Sequence, residues 1–480
     1  MNPNGKSFFQ KKLFPLGFMP QLSLNAVKQV IMKKNASQQK AIVVGAGLVG
    51  SLWAVFLARR GYQVEVYERR SDMRAAGYAG GRSINLAMSE RGWKAVEQAG
   101  IREKIEHVAI PMPGRMMHSV GGELVFQPYG KEGQAIYSVS RGGLNLELLS
   151  IAASFPNVEF FFDHRCADVD LEKPFITFED LKTNELKTVE APLIFAADGA
   201  FSAVRYAIQR TDRFNYTQFY LEHGYKELTI PPKAGGGHRL EKNALHIWPR
   251  GNFMVIALPN ADGSFTCTLF LPFEGEVSFE KIKTDADVLA FFQKYFPDAV
   301  PLMPTLVQDF WQNPTSSLVT VKCAPWQWQS RILLIGDAAH AIVPFYGQGM
   351  NAGFEDCTIL AAMHDEMGGD WQRIIPQFAQ TRKADGDAIA ELAQRNFIEM
   401  RDLVADPKFL LRKKIAAHLH ERHPDFLPVY SMVTFSNTPY HVALREDDAQ
   451  NRLFQQILNL ENVEKEWDGE AVEKVFGAWR

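Results

Sequence analysis

The sequence predicts an α/β fold in which a Rossmann-like nucleotide-binding domain carries an inserted antiparallel β-sheet domain and a helical C-terminal region. Three observations predict this fold. A glycine-rich turn near the start joins an apolar strand to a helix, and two later apolar segments each end in an acid next to a glycine. Between these two segments the chain is rich in long β-type runs separated by turn residues. After the last of them, helical periodicity dominates.

The composition is that of an ordinary soluble globular protein. The 480 residues suffice for two or three domains, with 46% hydrophobic and 22% charged residues. The net charge of −3 gives no reason to expect a nucleic-acid partner. Four widely spaced cysteines form no CxxC pair, which argues against a zinc site or a disulfide framework. We therefore expect no metal and a cytoplasmic location, where thiols stay reduced.

Residues 1–40 differ from the rest because they contain seven lysines and no Asp or Glu. An acid-free basic start is typical of a targeting peptide, but this segment also lacks arginine. A disordered extension, or a start codon placed too early, is the favoured interpretation. The uncharged run at 41–58 is long enough to span a membrane, yet its three glycines divide it into strand, turn and helix. The charged segment from Arg445 onward predicts no tail anchor, so no integral membrane segment is expected.

The order of elements divides the chain into domains. "AIVV" predicts a strand, 48–60 a helix and "YQVEVYE" a second strand, and "LIFAAD" ends a later strand at Asp198. "NALHIWPRGNFMVIALPN" and "SFTCTLFLPF" predict an antiparallel sheet, after which "RILLIGD" returns to the first domain. The predicted parts are the extension (1–40), a discontinuous nucleotide-binding domain (41–205 and 324–370), a β-rich domain (206–323) and a helical region (371–480).

The first motif is the glycine turn Gly45-Ala-Gly47-Leu-Val-Gly50, which follows a strand and opens a helix. Bare backbone there lets a pyrophosphate approach the helix N-terminus, where free N–H groups favour negative charge. Glu68, at the end of the next strand, is placed to accept hydrogen bonds from ribose hydroxyls. This pattern predicts a dinucleotide site and leaves FAD and NAD open.

Two further motifs favour FAD. They are "ADGAFSAVR" (197–205) and "GDAAHAIVPFYGQGMNAGFED" (336–356). Together with the glycine turn they resemble the FAD-dependent aromatic hydroxylase family of the para-hydroxybenzoate hydroxylase type. The resemblance implies that Asp337 binds the ribityl chain and that the helix start at 347–351 directs N–H groups at the flavin. His340 could be a base, but a histidine in a turn more often packs, so a structural role is favoured.

One subfamily is matched more tightly, by segments in order from about Ala41 to His441. They include "YAGGRSINLAMSERG", "IPMPGRMMHS", "HGYKELTIPP", "LHIWPR", "FFQKYFPDA", "NFIEMR" and "YSMVTFS". These segments resemble the kynurenine 3-monooxygenases. The resemblance implies non-covalent FAD, NADPH and O₂ as co-substrates, and conversion of L-kynurenine to 3-hydroxy-L-kynurenine through a flavin C4a-hydroperoxide. It also implies a place in tryptophan catabolism and NAD biosynthesis.

Site residues follow from the same resemblance. Substrate would be bound by Arg115, Tyr129, Asn396 and Tyr430, with Arg115 orienting it and no general base assigned. A planar, bidentate cation suits an amino-acid carboxylate, and tyrosine hydroxyls can complete its hydrogen bonds. Ala203 stands where a hydroxyl residue is common, so no side-chain flavin contact is predicted there. The predicted cofactor residues are Gly45, Gly47, Val49, Gly50, Glu68, Arg69, Ala87, Arg141, Asp337, Gly349, Met350 and Asn351.

Other interpretations stay open at this stage. Each tyrosine could be a half-buried core residue, Asn396 a helix-surface residue and Arg115 an ion-pair partner. The substrate could be another amino- or hydroxy-aromatic acid. The chain could also be a flavoprotein without monooxygenase turnover, such as a redox sensor or a scaffold.

Overall fold

The computed structural model describes residues 39–75, 85–403 and 406–480. Nearly all of the predicted basic extension (1–40), and residues 78–84 of the segment "YAGGRSINLAMSERG", therefore lie outside the described residues. The strands are β1 (Lys40–Val44), β2 (Gln63–Tyr67), β3 (Asn85–Met88), β4 (Ile110–Met112), β5 (Gly114–His118), β6 (Leu124–Pro128), β7 (Ile136–Ser140), β8 (Val158–Phe161), β9 (His164–Val169), β10 (Phe175–Asp180), β11 (Leu186–Glu190), β12 (Ile194–Ala196), β13 (Asn215–Ile230), β14 (Leu245–Pro249), β15 (Met254–Pro259), β16 (Phe265–Pro272), β17 (Ser316–Ala324), β18 (Gln327–Trp328) and β19 (Ile332–Leu334).

Helices occupy the connections and most of the C-terminal part. They are α1 (Leu48–Arg59), α2 (Glu90–Gln98), α3 (Arg102–Glu106), α4 (Arg141–Ala153), α5 (Ala203–Gln209), α6 (Asp285–Tyr295), α7 (Leu306–Gln312), α8 (Asp337–His340), α9 (Gly349–Glu366), α10 (Trp371–Ile398), α11 (Pro407–Arg422), α12 (Val429–Thr434), α13 (Tyr440–Leu458) and α14 (Glu470–Trp479). Short 3₁₀ turns lie at Phe279–Lys281, Val300–Leu302 and Pro344–Tyr346, and a π-helical turn spans Glu399–Leu403.

The first sheet has the strand order β18-β19-β12-β1-β2-β8. All its neighbours pair in parallel except β18 and β19. Its central strands are buried on both faces, since Ile42, Phe195 and Leu333 have no exposed surface. Near-continuous apolar runs are what such parallel strands require. The α/β fold predicted from the glycine turn and the two acid-ended strands is confirmed.

The second large sheet has seven strands in the order β17-β13-β16-β15-β14-β5-β6. Its antiparallel centre was predicted from the long, β-rich runs between 206 and 323. The strands β5 and β6 were not, because the predicted domain boundary placed them in the first domain. They join this sheet through a parallel pairing of β5 with β14, in which Arg115 lies opposite Leu245. The contribution of 114–128 to the second sheet is thus a correction to the predicted boundary.

Separate apolar cores lie on the two faces of the seven-stranded sheet. On one face, Trp248 and Leu269 pack with Phe292 of α6 and Phe310 of α7. On the other face, strand residues such as Leu245 pack with the 344–346 turn and the end of α10. The face toward the 344–346 turn borders the cavity of the candidate active site.

The C-terminal helices α11, α13 and α14 form their own core around residues that include Leu419, Leu453 and Phe476. Among the residues that the structure describes, none of the helices combines the length and apolar composition needed to cross a lipid bilayer.

Candidate active site

The three predicted motifs and Glu68 meet at one edge of the first sheet. The strands β1, β2, β12 and β19 are parallel neighbours, so their carboxyl ends face the same way. The glycine turn follows β1, Glu68 follows β2, Asp198 lies two residues beyond β12, and Asp337 lies three beyond β19. Ligands of open α/β sheets bind outside these carboxyl ends. The topology therefore gathers residues as far apart in sequence as Gly45 and Asp337 into one site.

The three glycines of the turn serve different purposes. Gly45 has φ +97°, a conformation that favours glycine, and a Cβ added to it would lie 2.6 Å from the Ala197 carbonyl oxygen. Both the backbone conformation and the clash therefore exclude a side chain here. A Cβ at Gly50 would lie 2.0 Å from the Gly45 oxygen, so this position demands close packing of helix on turn. A Cβ at Gly47 would meet no atom within 4 Å, because it points into open space at the start of α1. Gly47 thus leaves room for a ligand.

Glu68 is held in place by its neighbours. Its Oε2 accepts a hydrogen bond from the Ala46 N–H at 2.8 Å, and its Oε1 pairs with Arg70 Nε at 2.8 Å. Burial raises the pKa of the Glu68 carboxyl, but the Arg70 hydrogen bond and charge outweigh it, so the net pKa lies below the ordinary value. A fixed, ionised acceptor at the end of β2 is suited to hydroxyl groups of a ribose.

Asp198 contributes a carboxylate that the predicted residue set did not include. Its Oδ2 accepts hydrogen bonds from the N–H groups of Ala203, at 2.7 Å, and Val204, at 3.3 Å. Its Oδ1 is buried without a partner among the described residues. Burial raises the pKa of Asp198. The signal for it was the "ADG" at the end of the strand, and Ala203 takes part through its backbone, in keeping with its lack of a hydroxyl.

Asp337 starts the short helix α8 and lines the cavity described below. Its carboxylate makes no hydrogen bond or ion pair with any residue of the described ranges, although it is half-buried. A half-buried carboxylate without a protein partner calls for a ligand that donates hydrogen bonds.

The N-terminus of α9 also faces ligand space. Gly349, Met350 and Asn351 form its first turn, which carries no acidic residue and receives no cap from the Gln348 side chain. The first N–H groups of a helix have no partner inside the helix and favour an anion. The Gln348 side chain instead accepts a hydrogen bond from the Tyr440 hydroxyl at 2.9 Å.

The Asn351 side chain braces this helix start and does not line the cavity. Its Oδ1 accepts from the Ser89 N–H at 3.0 Å, and its Nδ2 donates to the carbonyls of Ala87 and Gly347. These bonds fix the strand β3, which presents Ala87 to the cavity, against the helix. Any direct ligand contact of Asn351 would therefore use its backbone.

A single cavity of about 620 Å³ connects these groups with the inner face of the seven-stranded sheet. Its lining does not include Gly50, which packs inside the turn, or the predicted residues Asn351 and Asn396. The lining includes most of the predicted residues, namely Gly45, Gly47, Val49, Glu68, Arg69, Ala87, Arg115, Tyr129, Arg141, Asp337, Gly349, Met350 and Tyr430.

At the sheet end of the cavity, Arg115 is framed by aromatic rings. Its guanidinium carbon lies 5.1 Å from the ring centre of Tyr129 and 5.3 Å from that of Tyr430. These two rings are stacked, with centres 5.4 Å apart. The side chain is buried, and its Nε makes no hydrogen bond to a described residue. A buried guanidinium with an unused donor is costly unless a ligand supplies an acceptor.

The tyrosines can donate hydrogen bonds to such a ligand. Burial raises the pKa of both Tyr129 and Tyr430, so their hydroxyls stay protonated at neutral pH. The Tyr129 hydroxyl has no hydrogen-bond partner among the described residues. One cation and two phenols therefore form a donor-rich end of the cavity.

Two residues near Arg115 were missed by the sequence analysis. Tyr346 lines the cavity and stacks on Tyr430, with ring centres 5.6 Å apart. Glu399 lies in the π-helical turn, where Lys413 Nζ is 2.9 Å from its Oε1. Burial raises the pKa of Glu399, but the charges of Lys413 and Arg115 outweigh it and the net pKa is lowered. Glu399 thus acts as a distant counter-charge to Arg115, and no local motif announces such a role.

Asn396 is buried near the end of α10, and its amide donates a 2.7 Å hydrogen bond to the Phe345 carbonyl. The bond holds the 344–346 turn, whose Tyr346 faces the cavity. A substrate contact for Asn396 stays a prediction.

The part of the cavity wall that the seven-stranded sheet contributes is mainly apolar. It is built from alternate residues of the seven-stranded sheet, including Met254, Ile256, Leu258, Phe270 and Leu318. Such a wall suits a flat, uncharged ring and excludes water. The cavity therefore changes along its length from a polar end at Glu68 to an apolar chamber that ends at Arg115.

His340 lies behind this site and outside the cavity lining. Its Nε2 is 2.7 Å from Asp356 Oδ2, and its ring packs on Trp326. The same carboxylate group receives Arg382 Nε at 2.8 Å. Both residues are buried, so His340 has the structural role that was favoured for it.

The residues at the polar end of the cavity fit FAD. The open Gly47, the placed Glu68, the unpartnered Asp337 and the bare start of α9 match a pyrophosphate, a ribose, a ribityl chain and an electron-rich ring edge. Within the described ranges, no group of three or more His, Cys, Asp or Glu side chains has a metal-binding arrangement.

Comparisons with known proteins agree with this geometry. The FAD binding domain family model matches residues 38–235 and 299–369. A kynurenine 3-monooxygenase of Flavobacterium psychrophilum is 50% identical over 436 residues, covering 91% of this chain and 97% of that protein. The kynurenine 3-monooxygenase of Sus scrofa is 47% identical over 406 residues, covering 84% of this chain and 85% of that protein.

Solved structures share the fold at low sequence identity. The tetrameric form of 2-methyl-3-hydroxypyridine-5-carboxylic acid oxygenase aligns with a TM-score of 0.63 and 20% identity, covering 77% of this chain and 94% of that one. The p-nitrophenol 4-monooxygenase of Pseudomonas putida aligns with a TM-score of 0.60 and 18% identity, covering 89% and 100%.

Proposed function

Because the chain belongs to the kynurenine 3-monooxygenase family of FAD-dependent hydroxylases, we propose that it converts L-kynurenine to 3-hydroxy-L-kynurenine with NADPH and O₂. The reaction belongs to tryptophan catabolism and NAD biosynthesis. The observation that carries the proposal is the single cavity that joins a flavin-shaped cradle to a buried arginine between two stacked tyrosines. An aromatic amino acid offers the carboxylate and the flat ring that these two ends require.

Arg115 is the proposed substrate-orienting residue. Its guanidinium would bind the amino-acid carboxylate through parallel hydrogen bonds, with the hydroxyls of Tyr129 and Tyr430 as further donors. Asn396 is proposed to act at the same end, and its bond to Phe345 also keeps Tyr346 in the wall. With the carboxylate held there, the aromatic ring would extend into the apolar chamber toward α9.

The FAD contacts are proposed from the same cavity. Gly45, Gly47 and Gly50 with Val49 would form the pyrophosphate turn. Glu68 and Arg69 would lie at the adenosine end, and Asp337 at the ribityl chain. Ala87, Gly349, Met350 and Asn351 would surround the isoalloxazine, and Arg141 lines the cavity as well.

The protein's part in the chemistry is to position the substrate and to exclude water. Bound FAD supplies the redox chemistry between NADPH, O₂ and the ring. The apolar wall keeps water from the reacting atoms. The N-terminus of α9 would stabilise negative charge on a bound flavin. No protein base is required, because the ring amine of kynurenine itself makes the ortho carbon electron-rich.

A cytoplasmic location is proposed from the cysteines. All four are free, and three of them are buried. Free thiols without disulfides are usual in reducing compartments.

The proposal is tested by purifying the protein, recording its flavin absorption, and following NADPH consumption with and without L-kynurenine. We expect bound FAD and NADPH oxidation that kynurenine stimulates, with 3-hydroxykynurenine as product. Bound FAD without stimulation by kynurenine would refute the substrate assignment. Product formation from a different amino- or hydroxy-aromatic acid, at a higher kcat/KM than from kynurenine, would replace it.

Replacing Asp337 with alanine should weaken FAD binding by about 10- to 100-fold. The loss of a charged hydrogen bond costs roughly 1.5–3 kcal/mol, and Asp337 has no described protein partner that would mask its role. FAD affinity of the apoprotein is the measurement. Asp337→Asn is the matched control: it keeps an acceptor oxygen, so its affinity should lie between those of the wild type and Asp337→Ala. Unchanged affinity in the alanine variant would contradict the assigned contact.

Gly47→Ala should leave the fold intact and still impair FAD binding. The added Cβ meets no protein atom within 4 Å, and the backbone at this position has φ −73°, which alanine tolerates. The methyl group would project into the space assigned to the pyrophosphate, at a cost of about 1–3 kcal/mol in binding. Thermal unfolding of the apoprotein should be close to wild type while FAD affinity falls. An apoprotein destabilised as much as the holoprotein would show that Gly47 is a packing residue.

A further inference from the structure

Asp298, His118 and His246 form a hydrogen-bonded chain of side chains that includes the last residue of β5. His118 Nδ1 lies 2.8 Å from Asp298 Oδ2, and His118 Nε2 lies 2.9 Å from His246 Nδ1. His246 Nε2 lies 2.8 Å from the Glu241 carbonyl oxygen. Only 2% of His118 and 1% of His246 is exposed, so water does not take part. Every ring nitrogen of both histidines is therefore used.

This hydrogen-bonded chain determines how many protons the rings of His118 and His246 carry. The Glu241 carbonyl and the ionised Asp298 can only accept, so each needs an N–H from the ring beside it. If both rings were neutral, His118 Nε2 and His246 Nδ1 would then face each other as two lone pairs at 2.9 Å. A hydrogen bond across that gap needs one more proton. Satisfying all three bonds places three protons on the four ring nitrogens.

The extra proton belongs on His118. Burial raises the pKa of Asp298, but hydrogen bonds from His118 and Trp248 outweigh it, so the carboxyl is ionised. Burial lowers the pKa of His246 to about 4. Besides Asp298, the charged neighbours of the two rings are Arg250, whose Nη1 donates to the His118 carbonyl, and Glu241. The Trp248 ring covers His118 at a centre distance of 3.9 Å.

We propose that the Asp298–His118–His246 triad holds a buried imidazolium on His118, and that it is the positioning device for the substrate-binding hairpin β5–β6. This proposal rests on the assignment of Arg115 to the substrate carboxylate. The hairpin joins the seven-stranded sheet through β5 and β14 alone, over the residue pairs 115–245, 116–246 and 117–247. It carries Arg115, and Tyr129 follows its last residue.

The side-chain bond from His118 to His246 spans this junction from the face opposite the cavity. Trp248, on which His118 stacks, belongs to the core beneath α6 and α7, whereas Leu245 belongs to the core on the cavity side. Asp298 lies just beyond the end of α6. Through its bond to His118 it links strand β5 to the layer formed by α6 and α7. Losing the bridging proton or a ring would free the hairpin to shift, and Arg115 and Tyr129 would shift with it.

Nitrogen NMR of ¹⁵N-histidine-labelled holoenzyme at pH 7.5 tests the proton count. We expect one fully protonated and one singly protonated ring from the triad, assigned by the signals that vanish in His118→Gln and His246→Gln. Two singly protonated rings would overturn the proposal. If either variant fails to fold, Asp298→Asn, which keeps an acceptor oxygen and removes the charge, should shift the same two ring signals. This measurement is independent of which substrate the enzyme uses.

Kinetics test the positioning role. His118→Gln should raise KM for L-kynurenine roughly 10- to 100-fold, as displaced substrate-binding groups do, while FAD affinity stays within twofold of wild type. His238→Gln is the matched control, because His238 packs on Phe265 as His246 does, but its ring bonds the Asn260 carbonyl, away from β5. It should leave KM unchanged. An unchanged KM in His118→Gln, or an equal rise in His238→Gln, would overturn the positioning role even if the proton count holds.

The dependence of protein stability on acidic pH is a third test. His246 is neutral when folded, with a pKa of about 4, against an ordinary value of about 6.5 when unfolded. The unfolded state therefore binds more protons between these values, and stability is lost as pH falls from 6.5 toward 4. The denaturation midpoint should fall less steeply over this range in His246→Gln than in wild type. If the denaturation midpoint depended equally on pH in both proteins, the hydrogen bond between His118 and His246 would not depend on a neutral His246.

Discussion

An Arg115→Met variant is expected to bind L-kynurenine about 100-fold more weakly than the wild type, a loss of roughly 3 kcal/mol, while FAD remains bound. The guanidinium is buried against two tyrosine rings, and its Nε has no partner among the described residues. Its ligand would supply the acceptors, and methionine can supply neither charge nor donor. Dissociation constants from flavin fluorescence or absorption changes are the measurement.

Two controls separate carboxylate recognition from packing. Arg115→Lys keeps the charge but loses the planar fork, so its affinity should lie between those of wild type and Arg115→Met. A decarboxylated kynurenine analogue should bind wild type and Arg115→Met almost equally. The cycle of two ligands on two proteins yields the coupling energy between Arg115 and the carboxylate. A coupling near zero would mean that the carboxylate is bound elsewhere and that Arg115 serves the aromatic cluster.

The sequence was sufficient for the cofactor end of the site because that end is made of strand termini. Gly45 and Glu68 directly follow β1 and β2, and Asp337 lies three residues after β19; parallel strands bring these ends to one edge whatever the conformation of the loops. Local pattern therefore implied the spatial arrangement. The helix start at Gly349 is similar, since a glycine-rich stretch without an acid signals an anion-binding N-terminus by itself.

The substrate end could not be predicted in this way, because it depends on pairings between distant segments. Strand β5 reaches the second sheet by pairing with β14, which lies 130 residues later, and neither sequence specifies the other as its partner. The counter-charge of Arg115 comes from a π-helical turn at Glu399, a local irregularity that no periodicity signals. Asn396 is predicted to contact the substrate, and no local pattern indicates that its amide also donates to the Phe345 carbonyl. Side-chain direction in a buried site is decided by packing.

The largest effect on stability is expected from replacing Arg382, which forms ion pairs with three buried acids next to helix α9. Its guanidinium lies 2.7 Å from Glu355 Oε2, 2.8 Å from Asp356 Oδ1 and 3.3 Å from Asp385 Oδ2. Arg91 shares the Glu355 carboxylate at 2.9 Å. Only 2% of the Arg382 side chain is exposed, so solvent cannot replace it. These contacts join α9, whose first residues line the cavity, to α10.

Asp356 also links the network to the cofactor site. Its Oδ2 accepts the Gly336 N–H at 2.9 Å, one residue before Asp337. Burial raises the pKa of Asp356, but His340 and Arg382 outweigh it, so the net pKa is lowered. A depressed carboxyl pKa contributes stability that is present at neutral pH and lost as pH falls through the folded-state value. Without Arg382, Asp356 would keep the 2.7 Å hydrogen bond to His340 but lose the guanidinium beside it.

Arg382→Met should therefore destabilise the protein by about 3–5 kcal/mol, since removal of one partner leaves buried charges uncompensated. The midpoint of acid unfolding should move to higher pH, because the Asp356 pKa rises when Arg382 is lost. Lys383→Met is the matched control, one residue along the same helix: Lys383 pairs with Asp387 at a half-exposed position, where such a pair contributes about 0–1 kcal/mol. Chemical denaturation of both holoenzymes, with FAD release recorded in parallel, is the measurement. Equal losses in the two variants would mean that the buried network adds no more to stability than a surface pair. A loss confined to Arg382→Met, with FAD released before the chain unfolds, would show that the network supports the cofactor edge through Gly336.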